Sequence, residues 1–195
     1  MSGQQKHRIF IAINLPEDVK RELVSYYDKW SELPCRWTKK DNLHITLEFL
    51  GDLTDIEMAD ACNVVRDVAI KHKSFSISLN KILYGPPNKS ITTLSVPKMI
   101  WVEGEKPQEL TDLKEDLQEA LVERVSFKPE SKSFVLHITL ARILEWEFRK
   151  FDLEERPEIN ENIDLVFTAE SIEVMESELK KGGPVYTILE SHSFE

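Results

Sequence analysis

Two hydrophobic periods alternate along this chain: short runs with every second residue apolar, and longer stretches with an apolar stripe every three or four. Arg8–Leu15 is rich in β-branched residues and predicts a strand. Pro16 fits the first position of a helix running to about Trp30, with Glu17 and Asp18 in its first turn. Pro34 breaks that pattern. A short extended piece, Cys35–Lys39, leads to a strand over Asn42–Phe49, and Gly51-Asp52 predicts a turn. Thr54 and Glu57 form a capping-box signature for a helix to about Lys73. Phe75–Leu83 alternates as a half-buried strand. Tyr84–Lys98, with Gly85, Pro86, Pro87 and Pro97, predicts a loop holding at most a short strand. Ile100–Glu103 is strand-like, and Leu110, Leu113, Leu117, Ala120 and Leu121 make a helical stripe over Pro107–Glu123. Ser133–Arg142 predicts another strand, and the charged region Leu144–Asn162 a loop with a turn of helix. Leu165–Met175 and Val185–Phe194 close the chain as strands, with a hairpin break at Lys180–Pro184.

The order is roughly βα(β)βαβ, then βαβ and two further strands, an α+β pattern. One pentapeptide, Leu-His-Ile-Thr-Leu, occurs in each half, at Leu43–Leu47 and Leu136–Leu140. On a strand, His44 and Thr46 project from one face while Ile45 and Leu47 face the other; His137 and Thr139 repeat the arrangement. One copy per half predicts a single bilobal unit spanning residues 1–195, its halves meeting near Tyr84–Lys98 and its motif strands side by side in a groove.

The net charge of −10 argues against long duplex nucleic acid as the ligand, because phosphate backbones are held by cationic surfaces. The charge is uneven. The first fifty residues carry eight Lys/Arg against seven Asp/Glu, and Arg36, Lys39 and Lys40 stand just ahead of the first motif. A locally positive cleft on an acidic protein suits a small anion or an RNA end. No apolar run approaches the length of a membrane span, and the polar start shows no signal-peptide pattern. Cys35 and Cys62 have no CxxC spacing and read as reduced thiols of a cytoplasmic protein. No long heptad points to a partner chain, and a monomer is expected.

The paired His and Thr residues carry the chemistry. An imidazole with an ordinary pKa of roughly 6.5 holds or releases a proton near neutrality. Cleaving a phosphodiester with water needs a base for the nucleophile and an acid for the leaving oxygen, which two histidines supply. Threonine hydroxyls can donate to the non-bridging phosphate oxygens as their charge grows. Neither copy shows the HExxH type of spacing that marks a metal site. Arg142, five residues past His137, is offset by an odd number, so ideal alternation points it away; a bulge would turn it in as a phosphate clamp. His7, His72 and His192 stand in polar or terminal contexts that suit surface histidines.

These two His-x-Thr-x motifs resemble those of the two-histidine (2H) phosphoesterase superfamily, in particular its RNA 2′,3′-cyclic phosphodiesterase branch, also called 2′-5′ RNA ligases. Arg8–Pro16 resembles the family's opening strand. Arg36-Trp37 with Asn42–Gly51 is similar to its first motif, His137–Arg142 to its second, and Gly183-Pro184-x-Tyr186 to its closing hairpin. Three positions depart: Glu48 stands where the family usually has Lys or Arg, Leu136 where Pro is common, and Lys40 replaces a frequent Pro. Glu48 removes a positive charge near the cleft.

The resemblance implies a bilobal α+β fold with two antiparallel sheets lining a central groove and helices outside. It implies opening of terminal 2′,3′-cyclic phosphates to 2′-phosphomonoesters without metal or other cofactor, on RNA ends or small cyclic nucleotides. His44, Thr46, His137 and Thr139 are the expected catalytic group, with His137 activating water and His44 protonating the departing 3′ oxygen. Arg142 is expected to support the phosphate, and Trp37 and Tyr84 to stack on a base; Phe10 suits core packing better. Two alternatives stay open: a 2′-5′ RNA ligase acting on tRNA halves, and a nucleotide-binding module without turnover.

Overall fold

The computed structural model describes residues 6–86, 96–125, 127–129 and 133–195. Among these residues nine strands form one antiparallel sheet: β1 (His7–Asn14), β2 (Cys35–Trp37), β3 (His44–Leu53), β4 (Phe75–Gly85), β5 (Met99–Glu105), β6 (His137–Ile143), β7 (Asn160–Ala169), β8 (Ser171–Lys180) and β9 (Gly183–Ser193). Their order is β7-β4-β5-β6-β3-β1-β8-β9, with β2 also on β6. The two expected antiparallel sheets are the halves β7-β4-β5-β6 and β3-β1-β8-β9. They join through one pair of partners, Ile45 opposite Ile138, the central residues of the two pentapeptides. β7 and β8 lie toward opposite ends of this order yet only Glu170 separates them in sequence, so the sheet must curl into a trough.

Helix α1 (Glu17–Ser25) follows β1, with Pro16 at its N-cap. Helix α2 (Asp55–Ala69) starts with the expected capping box: the Thr54 side chain accepts from the Glu57 amide, and the Glu57 carboxylate accepts from the Thr54 amide. Helix α3 (Gln108–Arg124) buries Leu110, Leu113, Leu117 and Leu121 completely, each contributing on the order of 2 kcal/mol of transfer free energy. A short α4 (Glu145–Phe148) is the turn of helix expected between Leu144 and Asn162. One continuous apolar cluster runs through both halves, from Ile11 and Ile45 to Ile100, Ile138 and Leu117.

Several elements differ from the sequence reading. The α-helix after Pro16 stops at Ser25 and a 3-10 turn, Tyr26–Trp30, continues it. Gly51-Asp52 does not end β3: Gly51 takes a positive φ of 80° inside the strand, beside a register shift against β1, where a side chain would be strained. β4 runs on through Gly85, and residues 87–95 of the expected loop and boundary lie outside the described residues. Leu165–Met175 is two strands. Ala169 pairs with Phe75 and Ser171 with Ser193, so the chain changes partners at Glu170, which alternation alone does not record.

Candidate active site

The sequence and the pairing pattern together build two matched ledges. Over His44–Leu50 and His137–Ile143 the burial sequence is identical: half-buried His and Thr separated by a buried Ile, two successive buried residues, one exposed, one buried. Each doubled buried step is a bulge. Ile11 pairs with Glu48 and Ala12 with Thr46, leaving Leu47 as the extra residue. Ile100 pairs with Ala141 and Trp101 with Thr139, leaving Leu140 extra. A bulge reverses the face on which later side chains emerge. Arg142 therefore returns to the His137–Thr139 face, exposed, with its Nη1 donating only to Met99 Sδ, at 3.7 Å, among the described residues.

The same reversal sets the direction of Glu48, which stays near the cleft as expected. Ideal alternation would set it beside Thr46; the bulge turns it off that ledge, 2 % exposed, into a pair with Lys114 of α3 and a hydrogen bond from Gln118. Lys114 Nζ also donates to the Leu47 carbonyl at 2.9 Å. The negative charge of Glu48 is thus answered locally.

Both imidazoles are held the same way. His44 Nδ1 lies 2.7 Å from the Asn42 carbonyl, and His137 Nδ1 lies 2.9 Å from the Val135 carbonyl, so each Nδ1–H donates to the residue two before it. Each Nε2 is left for chemistry; that of His44 lies 2.9 Å from Thr46 Oγ1. The antiparallel pairing at Ile45 and Ile138 carries Thr46 toward His137 and His44 toward Thr139. Thr46 and His137 line one cavity of about 360 Å³ with Glu48, Phe49, Trp101, Lys114 and Phe134.

The surroundings of the two rings differ. His44 meets Phe10 at 5.0 Å and the edge of Tyr186 at 5.2 Å, and Asn42 Nδ2 donates to the Pro184 carbonyl, tying the β8–β9 hairpin over it. Burial, then the charges of His137 and Lys20, push His44 down to about 4 against the Asn42 bond. His137 stacks on Trp101 with centroids 3.9 Å apart. Burial lowers it too, while the Val135 carbonyl and the Glu103 carboxylate oppose the shift.

Two expected base-stacking residues are not in the groove. Trp37 pairs with Ala141, a core residue, and stacks on Tyr27 at 4.2 Å. Tyr84 pairs with buried Ile100, meets Phe148 edge-on, and donates to the Pro157 carbonyl at 2.7 Å. Phe10 is buried, as expected, in a small cluster with Ala12, Met175 and Tyr186 on the groove side. Trp101, Phe49, Lys114 and Tyr186 escaped the sequence reading. Trp101, Lys114 and Tyr186 reach the motifs through cross-strand or helix contacts, Phe49 through the Leu47 bulge in its own strand, and only the Tyr186 hairpin carried a local signal. Among the described residues no three His, Cys, Asp or Glu side chains are grouped to hold a metal, and no helix is long and apolar enough to cross a membrane.

The family model of the LigT-like phosphoesterases matches residues 13–93 and 100–186, taking in both ledges. This chain belongs to that family. It is 28 % identical over 183 residues to the RNA 2′,3′-cyclic phosphodiesterase of Methanocaldococcus jannaschii, covering 93 % of this chain and 98 % of the relative. The protein of that name from Thermotoga maritima is 26 % identical over 193 residues, covering 96 % of each chain. Among solved structures, TT0787 of Thermus thermophilus superposes with a TM-score of 0.81 at 28 % identity, covering 96 % of this chain and 97 % of that one. Escherichia coli LigT complexed with 3′-AMP shares the fold, with a TM-score of 0.76 at 21 % identity over 97 % of this chain and 99 % of that one. The two-histidine resemblance and the α+β fold both hold.

Proposed function

We propose that this chain is an RNA 2′,3′-cyclic phosphodiesterase that hydrolyses terminal cyclic phosphates to 2′-phosphomonoesters. The observation that carries the reading is the meeting of His44, Thr46, His137 and Thr139 around the Ile45–Ile138 pair. Relatives bearing that activity as their name span nearly the whole chain. RNA ends or small cyclic nucleotides are the substrates, and the working form is a cytoplasmic monomer, in keeping with free Cys35 and Cys62.

The phosphate sits between the two threonines, whose hydroxyls donate to its non-bridging oxygens. Thr46 must then swing its hydroxyl off His44 Nε2, which frees a lone pair to take a proton from water. The water oxygen bonds to phosphorus, the P–O3′ bond breaks, and the 3′ oxygen takes a proton from the other imidazole. The electrostatics favour a role assignment opposite to the one expected from sequence. Burial lowers both imidazoles, His44 to about 4; at His137 the Val135 carbonyl and the Glu103 carboxylate oppose the shift, so of the two His137 holds a proton more readily and suits the acid, and His44 the base. Arg142, brought to this face by the bulge, adds positive charge to the same wall of the groove, further along β6.

The test is turnover of the four 2′,3′-cyclic mononucleotides and a short cyclic-ended RNA in excess chelator, with the phosphate position in the product read by NMR. Absence of turnover, or a 3′-phosphate product, refutes the reading. A p-nitrophenyl ester, whose leaving group needs no acid, separates the roles: His137→Ala retains activity on it and His44→Ala does not.

A further inference from the structure

We infer that Arg36 and Arg142 form a second anion subsite that takes the phosphodiester next to the reacting end, so that this chain prefers an oligonucleotide over a cyclic mononucleotide. The inference rests on the function proposed above and adds a substrate class to it.

Arg36 of β2 and Arg142 of β6 are direct partners in the antiparallel pair. Their neighbours fix the face. Cys35 and Trp37 on one strand, and Ala141 and Ile143 on the other, pack into the core, so both arginines emerge opposite. The Leu140 bulge makes that the face of His137 and Thr139. Both are exposed, and neither has a carboxylate within 4.0 Å among the described residues. Like charges directly opposite across a pair of strands repel. On a chain of net charge −10, with acidic residues abundant, two facing arginines left without a counter-ion mark a place kept for an external anion. Guanidinium groups suit phosphate oxygens by their forked donors.

Position argues for the next phosphate rather than the reacting one. Arg142 stands three residues past Thr139, about 10 Å along an extended strand less the shortening of the bulge, and Arg36 lies beside it on β2, which takes the edge of β6 opposite β5, the edge β3 takes at Ile138. Lys40, also counted near the first motif, is engaged elsewhere, paired to Glu17 at 2.8 Å on α1. The corresponding position on the β3 ledge is Phe49, 55 % exposed and lining the cavity beside His137. One ledge thus ends in a cation and the other in an aromatic ring, complementary to the backbone and the base of one strand.

The experiment measures binding separately from turnover. Anisotropy of a labelled four-nucleotide RNA ending in a 2′-phosphate, and calorimetry of a nucleoside 2′-monophosphate, are compared for the wild type, Arg36→Ala, and Arg66→Ala as an equal charge change on α2. The wild type is expected to bind the oligonucleotide at least tenfold more tightly. Arg36→Ala is expected to remove most of that preference and to lower the log–log salt slope by about 0.7, one phosphate contact on a single strand. Arg66→Ala is expected to change neither. Equal affinity for the two ligands, or a preference and slope that Arg36→Ala leaves intact, overturns the subsite. A protein that binds the oligonucleotide as described but hydrolyses neither cyclic substrate overturns the proposed activity and leaves the subsite standing.

Discussion

The indole of Trp101 lies on the imidazole of His137, centroids 3.9 Å apart and planes 25° from parallel. Its other face meets the backbone of Gly85, where an added Cβ would stand 2.1 Å from Trp101 Cδ2. A residue without a side chain on β4 therefore sets the depth of the ring that supports His137.

That sandwich predicts a graded series. Trp101→Phe keeps an aromatic face and is expected to retain more kcat/KM than Trp101→Leu, which loses about tenfold. Gly85→Ala must push the indole toward His137, destabilising the fold by about 1–3 kcal/mol and lowering kcat with it. Urea unfolding alongside steady-state kinetics checks both; equal activity in all three variants would remove Trp101 from the site.

Replacing either histidine should be severe. His44→Ala and His137→Ala are each expected to lower kcat by about 10²–10⁴-fold. Thr46→Val and Thr139→Val should each cost about 10²-fold while changing KM little, because their hydroxyls act on charge that develops in the transition state. The double histidine variant should lose far less than the product of the single effects. Single-turnover kinetics on a cyclic mononucleotide measures all five.

The burial of His44 has a pH signature. Its native pKa, about 4, is below the ordinary value, so between pH 6.5 and 4 the unfolded chain binds a proton that the folded one refuses. Stability is complete above that window and falls as pH drops through it. His7 acts in the opposite sense: its hydrogen bond to Glu176 raises its pKa, so its contribution is present in acid and fades as pH climbs through the raised value. Thermal melts of His44→Gln and His7→Gln across pH 4 to 8 should show the acid-side slope reduced in the first, and in the second a smaller loss of stability as pH climbs above about 6.5. The acid limb of kcat/KM in the wild type should lie below the usual imidazole range.

Glu48 and Lys114 make a buried pair, and breaking it should cost more than deleting it. Glu48→Gln or Lys114→Met alone strands one charge and is expected to destabilise by about 3 kcal/mol, while Glu48→Leu with Lys114→Met is near neutral. Denaturant titration of the double-mutant cycle supplies the comparison.

Much of this was legible without coordinates, and for local reasons. The capping box at Thr54, the leucine stripe of α3 and the alternation in Phe75–Leu83 all depend on residues a few positions apart, as did the His-to-Thr spacing on each ledge. Trp37 and Tyr84 were misread because motif proximity stood in for partners. One unpaired residue, Leu47, reverses the face of Glu48, and the partners of Trp37 and Tyr84, Ala141 and Ile100, are core residues. The break at Glu170 was hidden because both flanking segments have the same period.

By itself the sequence determined the two strands that carry His44, Thr46, His137 and Thr139, since side-chain direction along a strand follows from a period of two. Only the tertiary structure decided that the strands meet at Ile45 and Ile138, that bulges at Leu47 and Leu140 bring Arg142 in and set Glu48 against Lys114, and that Trp101 underlies one imidazole while Tyr186 edges the other. Those relations are set by register between segments far apart in the chain. Register comes from the packing of a whole face against the core, which short-range patterning does not encode.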